Sequence, residues 1–436
     1  MYTFSKKLKT FAFVLMLIGV AGIIYGFIKA PKDLAEVKAN LIEQAHDGHG
    51  EHHVSAADHA VSDAHFDHHA EHVYGQLKNK PWTALYVGCI FVMLVSVGIL
   101  VFHGINYAAS AGWSPVLFRV MEGLSAYILP GSIIFFILLL LSVYGIGGNH
   151  LFIWADKDVV EADAIIKGKE GYLNAPFFII RAIIFLGGWN LYRIYMRKQS
   201  LALDASGDLV YHKKMFKASA GFLAFFIVTE SMASWDWIMS IDTHWYSTLF
   251  GWYVFASFFV TAITTIAFVT LYLKSKGYMD FVNTSHIHDL AKFMFGLSIF
   301  WTYLWFSQFM LQWYSNIPEE VTYFIFRIQE FNLPFFGMLV LNFVLPLLLL
   351  INTDFKRLTW IVVMAGVCII IGHYIDFYLM IAPGTVGGSW FIGAAEIGSL
   401  LFFIGLFILV GFSEIAKAPL LAKNNPLIEE SKHFHY

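Results

Sequence analysis

Cysteine and charge are both scarce in this chain. Only Cys89 and Cys368 occur, each in an apolar run and neither in a C-x-x-C pair. That excludes a disulfide framework, a cysteine-held iron–sulfur cluster and C-x-x-C-H attachment of haem c, and leaves both as small buried hydrophobes. Asp, Glu, Lys and Arg make up 14% of 436 residues, where an ordinary soluble domain carries about 25%. There is no P-loop, and neither the net charge of −3 nor any dense Lys/Arg block suits nucleic acid. What replaces charge is apolar and aromatic mass. The chain is 58% hydrophobic with 43 Phe, 21 Tyr and 13 Trp, and its mean hydropathy is +0.64. One or two soluble cores cannot hide that much apolar surface, so most of it must face lipid or neighbouring helices.

A bilayer crossing needs about 20 apolar residues. Stretches of that kind fall at 8–28, 84–104, 124–147, 175–195, 216–238, 247–272, 289–313, 332–352, 358–381 and 390–413, predicting an all-α polytopic membrane protein with ten transmembrane helices. Eighteen Lys and Arg lie on the side of the N-terminus and nine on the other, a bias that places both termini in the cytoplasm. Lys6, Lys7 and Lys9 before the first run imitate a signal peptide, but the run is long and no A-x-A-like site follows, so it reads as a retained span. Tryptophans 82, 113, 154, 245, 313, 360 and 390 fall at predicted helix ends, as an interfacial belt would. The expected organisation is a first span (1–30), a His-rich outer loop (31–82), four-helix bundles over 83–240 and 247–382, a last span (390–415) and a tail (416–436).

Residues 46–72 hold nine of the eighteen histidines with six carboxylates. Spacings of three and four among His65, His68, His69 and His72 could present imidazoles on one helix face to a metal, but the tract reads foremost as a solvated linker with no specific metal site.

Charges inside spans are costly and therefore informative. Arg181, Glu230, Asp236, His373, Asp376 and Glu396 all fall in the outer part of their spans, with His373 and Asp376 three apart on one face. One expectation is a packing ion pair between Arg181 and Glu230 or Glu396; the other is a layer that binds and releases protons. On the inner side, His103, Glu122, Lys292 and Asp354 read as solvated helix-end groups, of which His103 and Glu122, with Tyr127, could form an inner half-channel. The segment 230–252 is the densest polar and aromatic stretch. Its Trp235, Trp237, Asp242, His244 and Trp245 are expected at the outer interface, where rings could stack on a quinone head and His or Asp could take its protons, or simply form an aromatic belt. Paired histidines at one depth, as haem b needs, are missing.

The W-D-W-I-M-S-I-D-T-H-W-Y-S-T-L-F-G-W segment at 235–252 and the H-Y-I-D-F-Y-L-M-I-A-P pattern at 373–383, set in ten spans, resemble the smaller NrfD-like integral membrane subunit of bacterial alternative complex III. That is the ActF type, or quinone-binding subunit 2 of quinol:cytochrome c oxidoreductase. The resemblance implies two four-helix bundles with a peripheral helix on each side, in the cytoplasmic (inner) membrane. It implies as partners a larger NrfD-like paralogue that is the better candidate for the working quinol site, an iron–sulfur subunit, multihaem and monohaem cytochrome c subunits, a terminal oxidase and lipids. The quinone would be menaquinone or ubiquinone, with haem c and iron–sulfur clusters held by those partners and no covalent cofactor here. Two other readings stand beside it: a scaffold subunit whose buried charges only pack, and a secondary transporter, which favours midplane sites on broken helices.

Overall fold

The computed structural model describes residues 2–48, 56–388 and 390–435, and among them every regular element is helical. Among the described residues ten helices are long and apolar enough to cross a membrane: Lys6–Lys29, His69–Ala108, Pro115–Val143, Ala175–Ser206, Leu209–Ile241, Phe250–Ser275, Thr284–Ser315, Asn332–Leu350, Thr359–Val386 and Ala394–Ile415. They are the first to tenth spans below. The even number puts both termini at one end of the molecule, here the terminal face. Tyr2 packs edge-on against Tyr278 after the sixth span, and Ser431 in the tail donates to the Trp113 carbonyl before the third.

The third span starts earlier than its hydropathy suggests. A 3-10 turn at Pro115–Leu117 leads into helix Phe118–Leu124, so Arg119 and Glu122 lie inside the packed helix. The second helix runs Ala56–Ala108 and projects far beyond any bilayer. The 31–82 segment is therefore mostly helical, with Leu34–Gly48 preceding it, rather than an extended linker. Among the nine histidines, the side chains of His69 and His72 are described and those of the other seven lie outside the described residues.

The second to fifth spans close one ring of four, second against third and fifth, fourth against third and fifth; the sixth to ninth close another. The second span packs against the sixth and ninth, joining the rings, and 94% of its most apolar window is buried. The first and tenth spans do not sit on opposite flanks. They pair with each other, and the tenth rests on the second and third. Lipid gives helices no hydrophobic reason to associate, so close backbone packing through small residues must do it. A Cβ on Gly22 would stand 2.5 Å from the Ala394 carbonyl oxygen, and one on Gly398 would stand 2.8 Å from the Gly22 Cα. Gly19 and Gly405 meet equally close backbone.

In the eighth span Pro346 has no N–H for the carbonyl of Asn342, and the turn before it widens into a π-helical segment, Val340–Val344. The widening sets Asn342 against Gly372 of the ninth span, where a Cβ would lie 2.1 Å from Asn342 Oδ1.

Replacing Gly22 or Gly398 by Leu should pry the first span from the tenth, at a cost of about 1–3 kcal/mol. Denaturant titration in micelles should show that loss; an unchanged midpoint would mean that the seam does not hold the pair.

Candidate functional site

The six outer charges occupy four separate places. Arg181 lies two turns into the fourth span, whose helix starts with Asn174 capping the Phe177 N–H. Its Nε and Nη2 donate to the two oxygens of Asp236 at 2.6 and 3.0 Å, and Nη1 donates to the Tyr172 carbonyl. The guanidinium lies 3.9 Å from the Tyr172 ring and 4.2 Å from that of Phe177. A planar fork on a carboxylate between two rings, with Asp236 fully buried, is the geometry in which a buried pair holds helices together. The carboxylate is Asp236, not Glu230 or Glu396 as the packing expectation had it.

Glu396 turns back onto its own helix, accepting from the Gly393 N–H at 2.9 Å. Glu230 is buried with its Oε1 unpartnered.

His373 and Asp376 sit at the centre of the second ring. Asp376 Oδ1 accepts from the Tyr253 hydroxyl, and Oδ2 accepts from Ser257 Oγ at 2.8 Å and from Trp301 Nε1 at 2.8 Å. Ser257 Oγ also lies 2.9 Å from His373 Nδ1. Ser257 has one proton and gives it to Asp376, so His373 Nδ1 must donate to Ser257 and its Nε2 is left over. That Nε2 is buried without a partner, as are both amide atoms of Asn342. Beyond Tyr253 a cavity of about 10 Å³, room for one water, is lined by Gln308, Tyr323 and Arg327 among others. Arg327 comes from helix Pro318–Glu330, which bridges the seventh and eighth spans. It donates to the Leu379 carbonyl at 3.0 Å and to the Tyr323 carbonyl at 2.9 Å. Burial pushes the Tyr323 phenol up to about 12, so it keeps its proton and can donate.

The 230–252 segment divides sharply. Trp237 is in the core of the first ring against Phe135 and Trp189, and its carbonyl accepts from Tyr86 at 2.7 Å. Trp245 is buried too, stacked 3.8 Å from Tyr323. Neither ring is exposed as an interfacial belt would need. Trp235 is half-buried with its Nε1 unpartnered, and Asp242 is half-buried. His244 is exposed and bonds Asp163 at 2.6 Å, which holds that carboxyl below the usual range.

Of the inner charges, Asp354 is exposed and Lys292 half-exposed, as expected of solvated helix ends, but His103 and Glu122 are buried. Glu122 is buried and accepts from Arg119 at 2.7 Å, Arg197 at 2.6 Å and Ser200 at 2.6 Å. Arg119 also reaches Asp204 at 2.5 Å, and Arg193 and Arg197 each lie 3.5 Å from Glu414. Three arginines thus face three carboxylates across the third, fourth and tenth spans. His103 stands 3.9 Å from Glu122, and the Tyr127 hydroxyl is buried without a partner, so no hydrogen-bonded inner channel links the three.

Sequence reasoning passed over Tyr253, Ser257, Trp301, Arg327, Asn342, Arg119 and Arg197. The first three and Asn342 are neutral and carry no insertion cost; the arginines entered only the count of Lys and Arg on each side of the membrane. Comparison with protein families and with curated proteins finds no match for this chain.

Asp236→Asn should leave the buried Arg181 cation uncompensated and destabilise the protein by about 3–5 kcal/mol, whereas Arg181→Met with Asp236→Leu should recover most of that. Unfolding midpoints in detergent decide it: a fully stable single variant would deny the pair its structural role.

Proposed function

We propose that this multi-pass membrane protein is a subunit of a bacterial quinol-oxidising electron-transfer complex, and that its second ring supplies a proton-transfer path. The His373–Asp376–Ser257–Tyr253–Trp301 cluster carries the reading. A proton relay needs groups that both give and take hydrogen bonds, and Ser257, Tyr253, Asp376 and His373 are of that kind. The cluster ends at the unpartnered His373 Nε2 on one side and at the one-water cavity beside Arg327 on the other. Arg327 cannot release its proton under working conditions, so its part is to favour a negative or hydrogen-bond-accepting neighbour. Towards the face away from the termini, the charge of Asp242 acts on Arg327, and that carboxylate would give the path an outlet.

Two further considerations support the reading. The resemblance of the 235–252 and 373–383 segments to NrfD-like subunits of alternative complex III points to such a complex, with the terminal face cytoplasmic and the other periplasmic. The chain also lacks a cysteine set for electron carriers, so electrons would pass through iron–sulfur and haem c partners and the chain would not be catalytic alone. A scaffold reading draws on the Arg119–Glu122–Arg197 network, whose ion pairs hold the third and fourth spans together and reach Glu414 of the tenth. Both roles fit one chain, because they use different rings.

In the purified complex in proteoliposomes, Asp376→Asn should lower proton release per electron, or lower quinol turnover by tenfold or more, the latter a rise of at least about 1.4 kcal/mol in the barrier, while partner subunits still copurify. Ser257→Ala should do the same more weakly. Normal turnover and normal proton release in Asp376→Asn would leave the scaffold reading in possession.

A further inference from the structure

A cavity of about 460 Å³ at the terminal face belongs to the polar interior of neither ring. It lies between the start of the first span and the end of the sixth, and its size falls in the roughly 300–1,000 Å³ range of ligand sites. Its lining carries two cations, Lys7 and Lys276, and the hydroxyls of Thr3, Ser5 and Tyr272, with no carboxylate among the lining residues. Both lysines, Thr3 and Ser5 are exposed. A lysine at the end of a span is ordinary in itself; two from different spans on one cavity, with no acid between them, leave a positive charge unanswered. Ser5 caps the first helix by accepting from the Leu8 N–H at 3.2 Å. That helix, Lys6–Lys29, has no acidic residue in its first turn, so its leading N–H groups add to the positive potential. Tyr2, also in the lining, packs its ring on Tyr278 at 5.0 Å and on Phe412 at 5.9 Å. Its hydroxyl is buried with no hydrogen-bond partner, the Tyr272 hydroxyl that acts on it standing outside hydrogen-bonding geometry.

We propose that this cavity binds the phosphate of an anionic phospholipid, with Lys7 and Lys276 as its cations and the hydroxyls of Thr3 and Ser5 as further donors. Level argues for a lipid. Lys7 is the second residue of the first helix and Lys276 follows the last residue of the sixth, so both stand where spans leave the apolar layer, at the depth of headgroups. An acyl chain on a phosphate held there runs down the stripe of Leu8, which lines the cavity, and Phe11, three residues on and 51% exposed. Charge argues for a net negative headgroup. The ammonium of a zwitterionic one would sit near two lysines with no carboxylate in the lining to receive it, whereas phosphoglycerol brings hydroxyls and no positive charge. Free phosphate shares the lysine chemistry but has nothing to lay on Leu8 and Phe11. Bound there, the lipid ties the first span, which packs on the tenth and second, to the sixth span of the second ring. The proposal is independent of the quinol reading and of the proton path.

Native mass spectrometry of the delipidated full chain in detergent, titrated with phosphatidylglycerol, phosphatidylcholine or inorganic phosphate, tests it. Phosphatidylglycerol should bind in a first, saturable step about tenfold tighter than phosphatidylcholine. Lys7→Gln and Lys276→Gln should each weaken that step about fivefold, the worth of one lysine at an anionic surface, and the double variant should bind both lipids alike. Thr3→Glu, which sets a carboxylate in the lining and spares both lysines, should abolish the step. Lys6→Gln and Lys9→Gln remove the same charge from the same helix outside the lining, and should keep the preference; this separates the cavity from a general basic attraction. Unfolding midpoints without added lipid show that each variant is folded. An equal loss in Lys9→Gln, no preference for phosphatidylglycerol in the unaltered chain, or its displacement by an equal concentration of inorganic phosphate would overturn the proposal.

Discussion

A charge or a hydrogen-bonding group at membrane depth has no water to fall back on, and must be answered from within the protein. Most of this chain's polar interior can be sorted by how completely that demand is met. Arg181 and Asp236 answer each other with a two-point fork, and Arg119, Arg197 and Ser200 converge on Glu122. Groups so matched have nothing left to offer a ligand or a mobile proton, and they act as rivets between helices. Other buried groups keep unused hydrogen-bonding capacity, among them Glu230 Oε1, Trp237 Nε1, His373 Nε2 and the amide of Asn342. Such leftovers carry a standing cost in stability, which a purely structural interior has no reason to bear.

Packing follows from the same solvent. With no hydrophobic gain from helix contact, the first span joins the tenth through glycines that bring backbones together. The tenth then lies on the second and third, and the second becomes the enclosed strut between two rings. This arrangement leaves the fifth–sixth boundary as the place where the two rings meet lipid along a seam, and Glu230 sits on that seam. The π-helical turn forced by Pro346 is the local counterpart. It brings Asn342 against the residue before His373, in a position an unbroken α-helix would not give it.

The ten spans were legible because hydropathy over 18 or more residues integrates a strong signal. The start of the third was missed for the reason its charges are interesting. Arg119 and Glu122 look like loop residues until each is seen to neutralise the other. Partner choice was less legible. Glu230 and Asp236 are six residues apart on one helix, which turns them about 120° from each other, so a single arginine on the fourth span could reach only one of them. That much was open to calculation; which one it reached depended on helix rotation, set by Trp237 and the other aromatic side chains of the first ring. His373 and Asp376, three apart, were correctly placed on one face. The neutral groups that make them a cluster carry no sequence signature, because Tyr, Ser and Trp are common in membrane helices for other reasons. The tryptophan belt misled for a related cause: Trp237 and Trp245 occur at helix ends, but those ends lie under other elements.

The donors around Asp376 differ in kind, and that difference bears on the proposed proton path. Trp301 Nε1 can only donate, so it fixes Oδ2 as an acceptor whatever the state of its neighbours. Tyr253 and Ser257 are hydroxyls, which can turn about their C–O bonds and exchange giving for taking. A proton arriving at His373 could therefore be passed on by reversing two hydroxyls, with Trp301 holding the carboxyl still and no backbone rearrangement required. In the first ring, by contrast, Arg181 and Asp236 lock donor and acceptor roles permanently, since arginine never accepts. The conduction proposed for the second ring and the rigidity of the first would thus be two consequences of which side chains answer a buried carboxylate.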